Sequence, residues 1–102
     1  MRVREIAHAR TGDKGRQLTI SLIAYRPEDY FFLLDCITES AVSELFAPVI
    51  VAPVLRYEIP TLHSLNFVLR RAPEKSVTRA ISLDTHGKCM GDVLLDMELT
   101  GN

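Results

Sequence analysis

The chain has 102 residues, 47% of them hydrophobic and 25% charged, and a formal net charge of −1. That is the length of one domain, spanning 1–102, with the composition of an ordinary globular protein, which excludes a long disordered chain. No apolar run nears the roughly 18 residues a bilayer crossing needs, and residues 1–5 hold no apolar leader segment; a cytoplasmic protein with no membrane partner is expected.

The charge is unevenly spread. Residues 1–16 hold five basic side chains against two acidic ones, whereas the remainder holds seven against eleven. A polyanion binder shows an overall basic balance or a long basic face. One local basic spot suits a small anionic metabolite better, so no nucleic acid is expected. Cys36 and Cys89 are too far apart for a redox or zinc spacing and read as small packed hydrophobes. His8, His63 and His86 are equally scattered, so neither a metal nor a cofactor is expected.

Residues 2–9 read as a first strand, with Val3, Ala7 and Ala9 on one side. A loop at 10–16 follows. Residues 17–25 alternate, Leu18, Ile20 and Leu22 facing one way and Gln17, Thr19, Ser21 and Ile23 the other, which marks a half-buried strand and makes the pair a hairpin. Arg26-Pro27-Glu28-Asp29 starts a helix, since proline suits the first position and acids suit the positive end of the dipole. Its buried stripe would be Tyr30, Phe31, Leu33, Leu34 and Ile37. Thr38 caps a second helix at 39–46, with Val42, Leu45 and Phe46 inward. Residues 53–59 read as a strand near a sheet edge because of Pro53.

Thr61 is read as the cap of a helix running to Arg71, on the spacing of Leu62, Leu65, Val68 and Leu69, with Pro73 ending it. A strand at 76–84, a turn at 85–88 and a final helix within 90–99 complete the chain. The expectation is an α+β two-layer sandwich: a four-stranded ferredoxin-like sheet with helices on one face and an extra C-terminal helix.

The segment Arg10-Thr11-Gly12-Asp13-Lys14-Gly15-Arg16 holds the only concentrated polar chemistry. Two readings of it stay open. It is a hairpin turn, where Asp and Gly serve the backbone. Or its glycines expose amides to an anion as a nest, while Lys14 with Arg10 or Arg16 adds charge-assisted hydrogen bonds. It is no phosphate-binding P-loop, because G-x-x-x-x-G-K-[ST] is absent.

The run Ala7-His8-Ala9-Arg10-Thr11-Gly12-Asp13-Lys14-Gly15 resembles the A-H-A-R-S-G-D-K-G signature of the acyclic terpene utilization protein A family, in the small ferredoxin-fold domain at the C-terminus of its larger members. Arg56-Tyr57-Glu58-Ile59-Pro60 and His63-Ser64-Leu65-Asn66-Phe67-Val68-Leu69 resemble its R-Y-E-L-P and H-A-L-N-F-V-L segments. Val77-Thr78-Arg79 and Leu94-Leu95-Asp96-Met97-Glu98 match later blocks, so the likeness spans nearly the whole chain. Arg16 stands where the family commonly has aspartate, and Thr19 where it commonly has asparagine. Ala72-Pro73-Glu74-Lys75-Ser76 replaces a glycine-rich stretch. The resemblance implies breakdown of branched terpenoid acids as coenzyme A thioesters, with this domain a stand-alone accessory or ligand-binding subunit beside a larger subunit of that family.

Three further residues are candidates for the site. His63 and Asn66, one turn apart on the expected helix, would share a face and reach the loop, or else cap and pack. Arg79 would neutralise the same ligand or pair with Glu58. Asp92, Asp96 and Glu98 read as a solvated face, able to attract Lys14 or Arg16 across a subunit boundary. The leading expectation is an accessory subunit contacting an anionic acyl metabolite through Arg10, Lys14 and Arg16. The alternative is a small hydratase or lyase on thioesters with Asp13 and Lys14 as an acid/base pair. Nucleic-acid binding is least favoured, for want of exposed aromatic pairs. Uncovered sheet edges also predict a homo-oligomer.

Overall fold

A computed structural model of the chain describes residues 1–71 and 90–99. After a single 3-10 turn at Val3–Glu5 come the hairpin strands β1 (Ala7–Lys14) and β2 (Gln17–Ala24). Helices α1 (Pro27–Cys36) and α2 (Glu39–Phe46) follow, then β3 (Leu55–Ile59), β4 (Ser64–Arg70) and the short helix α3 (Met90–Leu95). The four strands form one sheet in the order β1-β2-β4-β3, every neighbouring pair antiparallel. β2 and β3 therefore run parallel to each other on either side of β4, joined by α1 and α2 as a split crossover. This is the α+β ferredoxin-like arrangement that the sequence predicts.

Alternation along the strands makes two unlike faces. Leu18, Ile20 and Leu22 of β2 and Leu65, Phe67 and Leu69 of β4 are buried on one of them. There they join Tyr30, Leu33 and Ile37 of α1 and its C-cap, Val42 and Phe46 of α2, and Met90, Leu94 and Leu95 of α3 in one apolar cluster. None of the sheet residues on the opposite face belongs to that cluster. Within the expected helical stripes, Phe31 is 66% exposed, and Leu34 and Leu45 are only partly buried at the rim of the core.

Local chemistry explains the helix ends. Pro27 occupies the first turn of α1, and Arg26 lies 3.4 Å from Glu28 and 3.6 Å from Asp29. The Thr38 hydroxyl accepts the Ala41 amide at 3.1 Å, as its capping position requires. At the other end of α1, Arg56 of β3 donates from Nη1 to the carbonyls of Leu34 (2.8 Å) and Ile37 (2.9 Å). These carbonyls lie where a helix leaves acceptors without intrahelical partners. The Arg56 amide in turn donates to the Glu39 carboxylate at 2.7 Å, and the Val54 amide to the Ser43 hydroxyl at 3.2 Å. The edge strand β3 is thereby tied to the α1–α2 corner.

Several expectations are corrected. The first strand begins at Ala7 rather than Arg2, because Val3–Glu5 makes a 3-10 turn that buries Val3. Residues 10–14 belong to β1, which leaves a connection of only Gly15 and Arg16. The helix expected from Thr61 to Arg71 is instead a 3-10 turn at Pro60–Leu62 followed by β4. Leu65, Phe67 and Leu69 supply its buried side at a period of two, and central pairing with both β2 and β3 overrides the helical spacing that Leu62, Leu65 and Leu69 also satisfy. The final helix stops at Leu95, and Glu98 forms an isolated antiparallel bridge with Arg2. The strand expected at 76–84, the turn at 85–88, Arg79, His86 and Cys89 lie outside the described residues.

Candidate functional site

The polar N-terminal segment is a hairpin with a two-residue connection rather than an open loop. Lys14 pairs with Gln17, and Gly15 turns the chain with φ at +64°. His63 is the one non-glycine among the described residues with positive φ, so Arg16 keeps an ordinary value, the pattern of a type II′ turn. Arg71, at the end of β4, fastens this tip. Its amide donates to the Arg16 carbonyl at 2.8 Å, and its Nη2 reaches the Gly15 carbonyl at 3.3 Å and the Asp13 carboxylate at 3.2 Å. Because Arg10–Lys14 is extended and laddered to β2, the concave nest of amides expected there is not formed.

Extension also sorts the segment's side chains by parity. Directly paired residues of antiparallel strands share a face, so rows can be followed across the sheet. Lys14, Gln17 and Arg70 form one row, and Gly12, Thr19, Val68 and Leu55 the next. Arg10, Ser21, Asn66 and Tyr57 form a third, in which the Ser21 hydroxyl donates to the Asn66 side-chain oxygen at 2.7 Å. All three rows lie on the face away from the core. Thr11 and Asp13 point to the other side, which separates Asp13 from Lys14 and removes the geometry an acid/base pair would need.

The basic spot divides in two. Arg4 grips the Asp96 carboxylate through Nε at 2.8 Å and Nη2 at 2.7 Å, while Arg2 lies 3.8 Å from both Asp96 and Glu98. Asp96 and Glu98 thus clasp the N-terminus of their own chain. They are not the free acidic face expected to meet Lys14 or Arg16 in another subunit. Arg10, Lys14, Arg16 and Arg70 make no ion pair among the described residues, and residues 10–17 are all exposed. Among the described residues, the cations left without a counter-charge are those on or beside the open face.

The other candidates are dispersed. Asn66 shares the open face with Arg10, two strands away. His63 is in the left-handed turn before β4, with φ at 52°. Its carbonyl accepts the Ala24 amide at 2.9 Å, and its ring meets the edge of Tyr30 with centroids 6.1 Å apart. Eight residues of extended chain separate it from Arg71 and the hairpin tip, about 25 Å; His63 and Asn66 do not share a helix face, and His63 does not reach the hairpin. Glu58, the other partner considered for Arg79, lies 3.3 Å from Arg56. Sequence reasoning passed over Arg70, Tyr57 and the polar set Gln17, Thr19 and Ser21. The alternation of β2 was their signal, and the misread of β4 hid their neighbours.

Two other features bear on chemistry. An open hollow of about 440 Å³ is lined by Thr38, Glu39, Ser40, Arg56 and Glu58, but the Arg56 guanidinium is already committed to carbonyls and Glu58. The Tyr30 hydroxyl is buried without a hydrogen-bond partner among the described residues, and its pKa is raised, first by burial, then by Glu58, against the opposing charge of Arg56. Among the described residues no group of three His, Cys, Asp or Glu is placed to hold a metal, and no helix is long and apolar enough to cross a membrane.

No curated protein and no solved structure matches the chain significantly. The model of one family, the AtuA ferredoxin-like domain, matches residues 1–100, the whole stretch that carries the hairpin, the sheet and the terminal clasp. The chain belongs to the AtuA ferredoxin-like domain family.

Proposed function

We propose that this chain is a non-catalytic, ligand-binding accessory subunit that receives an anionic metabolite in the breakdown of branched acyl carboxylic acids, presented as coenzyme A thioesters. Membership of the AtuA-related family supports the metabolic context. One observation carries the binding role. Arg10 and Lys14 flank Gly12 on a single exposed face without a counter-ion among the described residues, while the neighbouring carboxylate of Asp13 is turned away and engaged by Arg71. Unpaired guanidinium and ammonium groups so placed offer charge-assisted hydrogen bonds to carboxylate or phosphate. The face lacks an enclosed acid and base among the described residues, which favours binding over chemistry.

The subunit works in an assembly. Among the described strands nothing pairs with the outer edge of β1, whereas on β3 the Arg56 amide is occupied by Glu39. An unpaired edge invites another chain, so β1 is the side on which a second copy, or a separate larger AtuA-like subunit, adds. Only monomer in sedimentation at micromolar concentration would refute the self-association.

Isothermal titration with acyl-coenzyme A and with free branched carboxylic acids tests the binding role. The wild type should bind, and an R10A/K14A double variant should lose at least tenfold in affinity while melting at the same temperature. The absence of heat with every anion, alone and with the larger subunit added, ends the proposal.

A further inference from the structure

The open face of the sheet is graded, and the gradient specifies a shape of ligand. Its cations, Arg10, Lys14 and Arg70, lie along β1 and at the hairpin end. Its exposed large apolar groups lie at the opposite edge. Leu55 and Tyr57 of β3 are 49% and 53% exposed, and Val68 of β4 stands beside Leu55 in the same row. Between the two zones, in the rows that start at Arg10 and Gly12, lie the uncharged polar groups Thr19, Ser21 and Asn66, while Ile23 shares the face at the end away from the hairpin. Because Ser21 occupies the Asn66 side-chain oxygen, the Asn66 amide nitrogen is left to donate to a carbonyl midway. Among the described residues of the paired strands, no carboxylate shares this face. The two acidic residues of the paired strands, Asp13 and Glu58, point to the other side, where Arg71 and Arg56 hold them.

Gly12 gives the second, independent observation. Its φ is not positive, so the backbone there does not require glycine, and a Cβ built on it would meet nothing within 4 Å. A glycine inside a strand weakens it, and nothing among the described residues packs against this one. What the missing side chain leaves clear is the strip of surface between Arg10 and Lys14, at the head of the row leading through Thr19 and Val68 to Leu55.

We infer that this face binds an elongated amphipathic anion lying across the strands, its carboxylate or phosphate head between Arg10 and Lys14 over Gly12 and its apolar body along Val68 and Leu55 against Tyr57. The inference rests on the anion-binding reading above and extends it to the class of ligand. Three inter-strand spacings separate the head from the Tyr57 edge, roughly 14 Å. That span suits a medium-length acyl chain. The occupant is a soluble small molecule, since the grade of charge runs within the plane of the sheet, whereas a lipid surface would meet head groups over the entire face.

The test uses acetate, hexanoate, decanoate and decyl phosphate below their micellar ranges, with decylamine as a cationic control, on the full chain by titration calorimetry. Decanoate and decyl phosphate should bind at least about tenfold more tightly than hexanoate, acetate should be weaker still, and decylamine should not bind. Gly12→Val should keep or raise the melting temperature yet weaken decanoate at least tenfold, and Tyr57→Ser should abolish most of the chain-length dependence. Decanoate binding no tighter than acetate, with R10A/K14A still abolishing both, overturns the amphipathic ligand and leaves the anion-binding reading standing. Failure of all four anions to bind overturns this inference, and absence of heat with acyl-coenzyme A as well, alone and with the larger subunit, overturns the anion-binding reading too. Chain-length dependence untouched by Gly12→Val and Tyr57→Ser overturns the location. Co-sedimentation with phosphatidylglycerol vesicles, without binding of free decanoate, overturns the choice of a soluble ligand.

Discussion

The two faces of the sheet are built from the same strands, residue by residue in alternation, and they obey different rules. The inner face is dominated by packing: Ile20, Leu22, Leu65, Phe67 and Leu69 are fully buried, and the carboxylates that stray to that side are paired with arginine. On the outer face Arg10 and Lys14 stand unpaired among the described residues, Gly12 occupies a strand without backbone need, and Leu55 and Tyr57 stay half exposed. Stability selects the first set. Nothing in the folding of the described residues calls for the second, and that is the physical argument for function there.

The contrast can be broken most sharply at adjacent positions of β4. Phe67→Ala opens a cavity in the apolar core and should cost about 3–5 kcal/mol, read from the denaturant midpoint at constant slope. Val68→Thr, one residue along and on the outer face, should cost less than about 1 kcal/mol. Equal costs would mean that the outer face is buried too.

The same comparison explains what the sequence showed and what it concealed. β2 was legible because its alternation is unbroken from Leu18 to Ala24. Helix α2 was legible because Thr38 is a capping residue followed by an apolar stripe. β4 was not, because Leu62, Leu65, Val68 and Leu69 satisfy a helical period while Leu65, Phe67 and Leu69 satisfy a strand period, and only pairing with β2 and β3 decides between them. At the candidate site, composition marked the hairpin but gave glycine-rich polar residues to a loop. Their extension into β1, and the parity that divides Arg10 and Lys14 from Asp13, follow from the register with β2. The terminal clasp was hidden for a similar reason, because Arg4 and Asp96 lie at opposite ends of the chain.

A smaller effect is expected at the corner that ties β3 to the helices. Arg56→Ala removes two hydrogen bonds to carbonyls at the end of α1 and the partner of Glu58, and should cost about 1.5–3 kcal/mol by chemical denaturation. Restoration of most of that loss by lysine would argue against the two-carbonyl geometry, since an ammonium does not reproduce the guanidinium fork.

The smallest effect belongs to Tyr30. Its hydroxyl is buried without a partner among the described residues, so Tyr30→Phe should leave stability unchanged or slightly higher at neutral pH. The raised pKa makes the folded state resist ionisation more than the unfolded one. Its contribution is therefore intact below pH 10 and lost as pH climbs through the folded-state value. The wild type should lose stability above pH 10, and the phenylalanine variant should lose less. Parallel alkaline profiles for the two proteins would contradict this assignment.

Ligand binding on this protein requires the anion to lie on the outer face. Side-chain resonances followed by nuclear magnetic resonance during a decanoate titration address it directly. The Arg10 guanidinium, the Asn66 amide and the Tyr57 ring should shift together and saturate at one concentration, while the Phe67 ring beneath the sheet and the His63 ring remote from the hairpin stay unmoved. Shifts confined to Arg16 at the tip, or spread over Arg2, Arg4 and the hairpin alike, would contradict it.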